Sequence, residues 1–578
     1  MLLARFEHSH KHSCKNLKRS KFQKSYFTFT KGTKINFKIR NCCFSYDIEN
    51  KTFYFSNCEM AKLVDVYATY RREKTGFQNP LLYWLLKEYL YSFLPKLSSN
   101  FWDEIGKKSE SLPTQALQCL GNNLRLSKKP FLEKGLVNDG YVCLAEDINL
   151  AIKVLRSYQL KLLEAYNGNT QNHQEEVRTI IVVDSIKNPY ESLYLKARYN
   201  NYYLIGIYTE DSERRKRLRE CEHLVDDDIK AIDIVEQNSA FKKVFSKYKK
   251  AKEENKSEED ISDIPKIIKK MYDQFYERGL LDELSFISPF VLQNVSSCLD
   301  SADILINNCS DNKSYPYLKK TLLRYVSLIM NPGIVLPTPV EHCMQIANNA
   351  KLNSGCISRQ VGAVLTDSEY HLLSIGWNQQ PEGQLPCSYR DLSELYHHWS
   401  PKSYSDYENN DNDMFQKNIK DQVVNLFDTQ ESPLAPKGKL PRYCFKDYYN
   451  SIKGDNNQVH TRALHAEETA FLSLGSNKER ILNGILFTTS SPCELCAKKA
   501  MYMGVSKIYY VETYAGVSKE HVLNIGEKSK RPNLVLFTGA IGTAYTKLFT
   551  PLILQKDENE MWLGAKMNHK LIETISKK

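Results

Sequence analysis

The residues with evident chemistry are His465-Ala466-Glu467 and, beginning 25 residues after Glu467, Pro492-Cys493-Glu494-Leu495-Cys496. Zinc takes nitrogen and thiolate ligands, and a catalytic zinc site keeps one position open for water. Cys493 and Cys496, three apart at a predicted helix start, turn both sulfurs to one side. A helix N-terminus also favours the thiolate that binds metal, and Pro492 suits such a start. His465 opens a second predicted helix and can supply the third ligand. Glu467 sits two residues further on, close enough to handle a proton of the metal-bound water and poorly placed to be a ligand. The expected set is therefore His465, Cys493 and Cys496 holding Zn2+, with Glu467 as the catalytic acid–base. A structural three-ligand zinc or a chance C-x-x-C is the competing reading.

The elements around these residues alternate between strands and helices. Asn331–Pro339 carries three prolines and a glycine, a plausible junction. Thr338, Pro339 and Glu341 then form a capping box that starts a helix to about Leu352. Strands are predicted at Val361–Thr366, His371–Trp377, 485–490, 507–512 and near 534–538, with helices at 465–474 and 493–503. A polar stretch, roughly 382–460, reads as an insertion. This is an α/β layer architecture. Upstream, residues 33–57 alternate as one or two hairpins, and helical periodicity covers Leu81–Leu94. Thr179–Asp184 reads as a buried parallel strand ending in an acid. A second strand is predicted at Tyr203–Tyr208, before a basic helix with Arg214, Arg215, Arg217 and Arg219. Lys247–Asp263 reads as an exposed helix or surface insertion.

The chain has 578 residues, enough for about three or four domains at roughly 150 residues each. Hydrophobic residues make up 42% and charged ones 25%, a globular balance that excludes a wholly disordered or fibrous chain. No apolar run approaches the roughly 18 residues that span a bilayer, and the N-terminus offers no secretory h-region, so a cytoplasmic location is expected. The net charge is +11, and residues 1–40 supply +10 of it, with eleven Lys or Arg against Glu7. Such an arm suits nucleic acid, an anionic membrane or a solvated tail. Fifteen cysteines in a chain without a signal peptide argue for reduced thiols.

The order H-x-E…P-C-x-x-C is the signature of zinc deaminases. It implies that water attacks C4 of a cytosine ring while Glu467 takes a water proton and returns it as ammonia leaves. On Ser358-Arg359-Gln360-Val361-Gly362-Ala363-Val364, Gly376-Trp377-Asn378 and both zinc motifs, the sequence resembles the deoxycytidylate deaminases of the cytidine deaminase fold. The resemblance implies that Asn378 holds the sugar, with Arg359 as the phosphate candidate and Gln360 beside them. Many relatives have tyrosine at Trp377 and asparagine at Thr469.

From about residue 110, ALQCLGNNLR, IIVVDSIKNPYESLYLKARY and ADILINN, with the deaminase motifs, resemble the bacterial phage-defence dCTP deaminases. That family places a P-loop kinase-like α/β domain before the deaminase, and it implies removal of dCTP from an infected cell. A P-loop needs G-x-x-x-x-G-K-[ST], which this sequence lacks. The nearest stretch, Gly106-Lys107-Lys108-Ser109, has Phe101 at the first glycine's place. The resemblance makes Asp184 a candidate Walker-type acid and Arg214 to Arg219 a candidate lid at a regulatory nucleotide site; a strand-end acid and a solvated helix face are the plain alternatives. Cys387, His397, His398 and Cys444 offer a possible second zinc site.

The expected organisation is a basic arm and hairpin region (1–60), a degenerate kinase-like domain (61–335) and an α/β/α deaminase (336–578). The expected function is zinc-dependent deamination of free deoxycytidine nucleotides by a homo-oligomer. Its rivals are a polynucleotide deaminase anchored by the basic arm and a catalytically idle nucleotide sensor with structural zinc.

Overall fold

The computed structural model describes strands within residues 26–55 by their backbone. It then describes segments 111–128, 140–166, 179–254, 261–276, 290–308, 314–392, 402–408, 442–453, 459–475, 478–513 and 518–563, with isolated residues between. The basic arm up to residue 25, the periodic stretch 81–94 and much of 382–460 lie outside the described residues. The chain forms two compact units, one made of 1–204, 209–301 and 570–578, the other of 205–208 and 302–569. The junction expected at 335 thus falls inside the second unit.

In the first unit, strands β1 (Tyr26–Phe29), β2 (Lys34–Ile39), β3 (Cys42–Asp47) and β4 (Thr52–Phe55) form an antiparallel meander. The alternation read in residues 33–57 is this meander. The helices include α1 (Leu112–Ser127), α2 (Cys143–Tyr166), α3 (Pro189–Lys196), α4 (Asp211–Glu220), α5 (Asp226–Glu236), α6 (Asn238–Glu253) and α7 (Lys266–Tyr276). Ile234, Phe241, Phe245, Ile268 and Phe275 bury the face where α5, α6 and α7 meet. Arg125 of α1 is buried because Glu191 of α3 balances it at 2.8 Å and the Val291 carbonyl accepts a second hydrogen bond.

The strand expected at Thr179–Asp184 does not form: the segment has no assigned secondary structure, and Ile180 is 69% and Val182 88% exposed. An apolar run makes a strand only beside another strand, and none among the described residues pairs with it.

The second unit holds β5 (Ile205–Tyr208), parallel to β6 (Ile304–Asn307), in a small sheet. Helices α8 (Ser314–Met330) and α9 (Pro339–Lys351) follow. The main sheet comprises β7 (Gly362–Thr366), β8 (Leu372–Trp377), β9 (Ile485–Ser490), β10 (Lys507–Glu512) and β11 (Asn533–Leu536), ordered β11-β10-β9-β7-β8. β9, β10 and β11 run parallel, while β7 is antiparallel to both β8 and β9. The short β12 (Gly539–Ala540) pairs with β6. Two further helices, α10 (Phe445–Lys453) and α11 (Ala466–Leu474), precede β9, and α12 (Glu494–Tyr502) joins β9 to β10.

Two glycines show which helix lies on which face. A Cβ at Gly362 would lie 2.0 Å from the Ala347 carbonyl oxygen of α9. A Cβ at Gly376 would lie 2.2 Å from that of Ala466 in α11. Gly376 pairs with Ala363, the neighbour of Gly362, and alternate residues of a strand face opposite ways. Helices α9 and α11 therefore cover opposite faces, as the expected α/β/α layering requires. Ala466, Ala470, Ala497 and Ala500 let α11 and α12 pack closely over Leu486 and Ile508.

The capping box of α9 forms, and it reaches further than its own helix. Glu341 accepts hydrogen bonds from the Thr338 amide, Arg324, Tyr325 and the Ala540 amide, so it ties α8 and β12 to the helix start. Burial alone would raise the Glu341 carboxyl; these donors hold it below the ordinary carboxylate range.

Candidate active site and metal centre

His465 and Cys493 occupy the N-cap positions of α11 and α12, with extended backbone, and neither uses its side chain to cap. Both side chains are left available at adjoining helix N-termini. Cys496 stands one turn into α12 on the same side. Cys493 Sγ and Cys496 Sγ lie 3.3 and 3.5 Å from His465 Nδ1. The three ligand atoms fall within 4.8 Å of one another, the only such group of three among the described residues. Tetrahedral zinc, at roughly 2.0–2.1 Å from nitrogen and ~2.3 Å from sulfur, spans N···S edges of about 3.5 Å. The donor set fits zinc in both chemistry and spacing.

The electrostatics agree. The Cys496 thiol and His465 draw Cys493 down to about 4 against the opposing effect of burial. Its hydrogen bond to Cys493, then burial, holds Cys496 well above the usual thiol range. His465 is raised, chiefly by Cys493.

Glu467 is 4% exposed at the second position of α11. Burial raises its carboxyl above the ordinary range, the direction expected of a group that must hold a proton near neutral pH. Its Oε1 accepts a hydrogen bond from Thr488 Oγ1 at 3.1 Å. Glu468 points the other way and pairs with Lys499, locking α11 to α12.

The remaining predicted residues divide. Asn378 is 8% exposed at the end of β8, and its Oδ1 accepts the Val361 amide at 2.6 Å. The next residue, Gln379, forms a β-bridge with Leu464 beside His465. Asn378 is therefore held at the site's edge. Arg359 donates to Ser490 Oγ at 3.1 Å, three residues before Cys493, and lies 3.9 Å from Glu512. Gln360 is exposed and donates to the Ser354 carbonyl, so its described contact is to its own loop. In the first unit, Asp184 is exposed. Arg214 is bound by both Asp211 and Asp233, and Arg215, Arg217 and Arg219 each have an acidic partner. That pattern is a self-neutralised helix face. Cys387 is buried and Cys444 half-buried; burial pushes the Cys444 thiol up to about 11. His397 and His398 lie outside the described residues, and no three-ligand group forms around these cysteines among the described ones.

Residues 337–512 match the cytidine and deoxycytidylate deaminase zinc-binding region. The matched region contains all three ligands and Glu467, and its cofactor is zinc. Among similar proteins, the deoxycytidylate deaminase of Schizosaccharomyces pombe is 26% identical over 215 residues, covering 37% of this chain and 48% of the relative. The chain thus spans about half the length of that relative. The deoxycytidylate deaminase of Enterobacteria phage T2 is 27% identical over 171 residues, covering 30% of this chain and 78% of the phage protein. A solved dCMP deaminase from the cyanophage S-TIM5 is 19% identical with a TM-score of 0.19, covering 35% of this chain and all of that one.

Sequence reading missed several groups. Lys351 joins Arg359 at the same acid, Glu512, at 2.8 Å. In the insertion, Arg390 is fully buried against the rings of Tyr404 and Tyr443, 4.6 and 4.9 Å from their centroids, and pairs with Glu408. Arg462, three residues before His465, donates to the Ser403 carbonyl at 2.7 Å and so ties that cluster to the catalytic segment. A signal existed for Thr488 alone: a hydroxyl in the otherwise apolar start of a buried strand, ILFT.

Proposed function

We propose that the protein is a zinc-dependent hydrolase that deaminates free deoxycytidine nucleotides, releasing the uracil nucleotide and ammonia. The observation that carries this reading is the buried Glu467 carboxylate beside the His465–Cys493–Cys496 ligand set. A structural zinc has no need of a buried acid with a raised pKa next to it. Zinc held by these residues would supply a Lewis acid that lowers the pKa of a water to about 7. Glu467 accepts one water proton as the oxygen bonds to C4 and passes it to N3 as the C4=N3 bond becomes single. It then moves the remaining hydroxyl proton to the amino group as the C4–N bond breaks and C4=O forms. Water and the amine exchange across C4, so atoms and charge balance. Asn378, fixed through its Oδ1, presents its amide N–H groups to the sugar. Arg359 and Lys351 share Glu512, and the net positive charge of the trio suits the 5′-phosphate.

Arg359, whose charge stands next to Ser490 and the ligand segment, offers a contact for a substrate phosphate. The reading extends to dCTP removal in antiphage defence through the sequence resemblance, with residues 61–335 as a kinase-like partner region without phosphoryl transfer. Incubation of purified protein with dCMP, dCTP, cytidine nucleotides and cytosine-containing oligonucleotides should yield dUMP or dUTP and ammonia only from the free deoxynucleotides. Glu467→Ala should hold zinc and give no product. Conversion of the oligonucleotide alone would install the polynucleotide rival.

A further inference from the structure

Thr488 stands at a position where packing alone would take valine. It is fully buried in β9, in register with Ala363 of β7 and Tyr510 of β10. Leu486, on the same face of β9, packs against the alanines of α11 and α12. A buried hydroxyl left unpaired is destabilising, so this one must have a partner.

It has two. Thr488 Oγ1 lies 3.1 Å from Glu467 Oε1 and 2.9 Å from the Ser490 carbonyl oxygen. A hydroxyl has one hydrogen to give and lone pairs with which to accept. Its one hydrogen is shared between the Glu467 carboxyl and the Ser490 carbonyl, and the sheet rather than a loop carries it. Thr488 thus supplies a side-chain contact that fixes the buried Glu467 carboxyl.

We propose that Thr488 is the positioning residue for Glu467, holding its carboxyl group at the reacting water. The proposal rests on the deaminase reading above, and it concerns residues outside the ligand set. An error of about 1 Å in a reacting group can cost on the order of 10²-fold.

The test compares zinc-loaded wild type with Thr488→Val and Thr488→Ser by steady-state kinetics, zinc content and crystal structures. The valine variant should keep one zinc per chain and a KM within about twofold. Its kcat should fall about 10- to 100-fold, with the Glu467 carboxylate displaced or split between conformers. The serine variant should recover kcat to within a few fold and return Glu467 to one position. A purely structural role would lower stability and leave this split between kcat and KM unmoved. Should the valine protein prove unstable, Thr488→Ser against Thr488→Ala makes the same comparison across one hydroxyl. A valine variant with Glu467 in its single wild-type position, or with kcat within twofold of wild type, overturns the proposal. If wild type deaminates no nucleotide, the functional reading fails, and the Glu467 conformers still decide the role of Thr488.

Discussion

Gly376 of β8 touches the backbone of Ala466 in α11: a Cβ at Gly376 would stand 2.2 Å from the Ala466 carbonyl oxygen and 2.4 Å from the Ala470 nitrogen. Ala466 lies between His465 and Glu467, the proposed zinc ligand and acid–base, so this glycine sets how closely their helix approaches the sheet. The contact is with backbone, which cannot rotate away. Gly376→Ala should therefore lower stability by about 1–3 kcal/mol, the usual cost of overpacking. Activity should fall with it, because α11 must move. Urea unfolding alongside a kinetic assay will show this; an unchanged midpoint would mean that the helix shifts freely.

Removal of one thiolate should empty the metal site. With Cys493→Ala, only His465 and Cys496 remain, and two protein ligands do not hold zinc against solvent. Metal analysis after dialysis should find wild type near one zinc per chain and the variant near none. Full occupancy in the variant would require a ligand set other than the one assigned.

The insertion's buried pair should show itself in the pH dependence of stability. Burial alone would raise the Glu408 carboxyl; Arg390, the Ser405 amide and Tyr443 outweigh it and hold the carboxyl below the ordinary range. A folded-state pKa below the unfolded value near 4.3 means that the contribution is present above that value. It is lost as pH falls through the folded-state pKa. Glu408→Gln leaves the Arg390 charge buried and unbalanced, so at pH 7 it should cost about 3–5 kcal/mol. The deficit should shrink as pH drops below about 4.3, where the unfolded chain takes up a proton that the folded Glu408 carboxylate still refuses. Denaturation curves from pH 7 to 3 will test this. A deficit that is constant with pH would place the loss in packing.

ATP hydrolysis is not expected. The sequence lacks the amide cradle and lysine of a P-loop, and the arginines from Arg214 to Arg219 are already paired with acids of their own unit. Phosphate release from ATP or dNTPs should match buffer, and Asp184→Ala should change nothing. Turnover that disappears in that variant would reveal a catalytic site.

Much of the candidate site in residues 337–512 was legible because its residues are local in sequence. The C-x-x-C spacing, the H-x-E triplet and the Thr338–Glu341 capping box each need only a turn of helix to place their atoms, and all three form as read. The parallel strand β9 was legible because it is buried on both faces and opens on a continuous apolar run, ILF. The same rule failed at Thr179–Asp184. A strand is defined by its neighbours, and a run of isoleucine and valine carries no information about whether a neighbour is present. Tertiary structure also decided every long-range partnership: Thr488 with Glu467 across 21 residues, Arg390 with Glu408 across 18, and Glu341 with Ala540 across 199. Glu341 reads correctly as a helix cap, but its further work as the anchor of α8 and β12 depends on chain segments that sequence spacing cannot bring together. Hydrogen bonds and ion pairs act over about 3 Å, and only the folded chain determines which distant groups come that close.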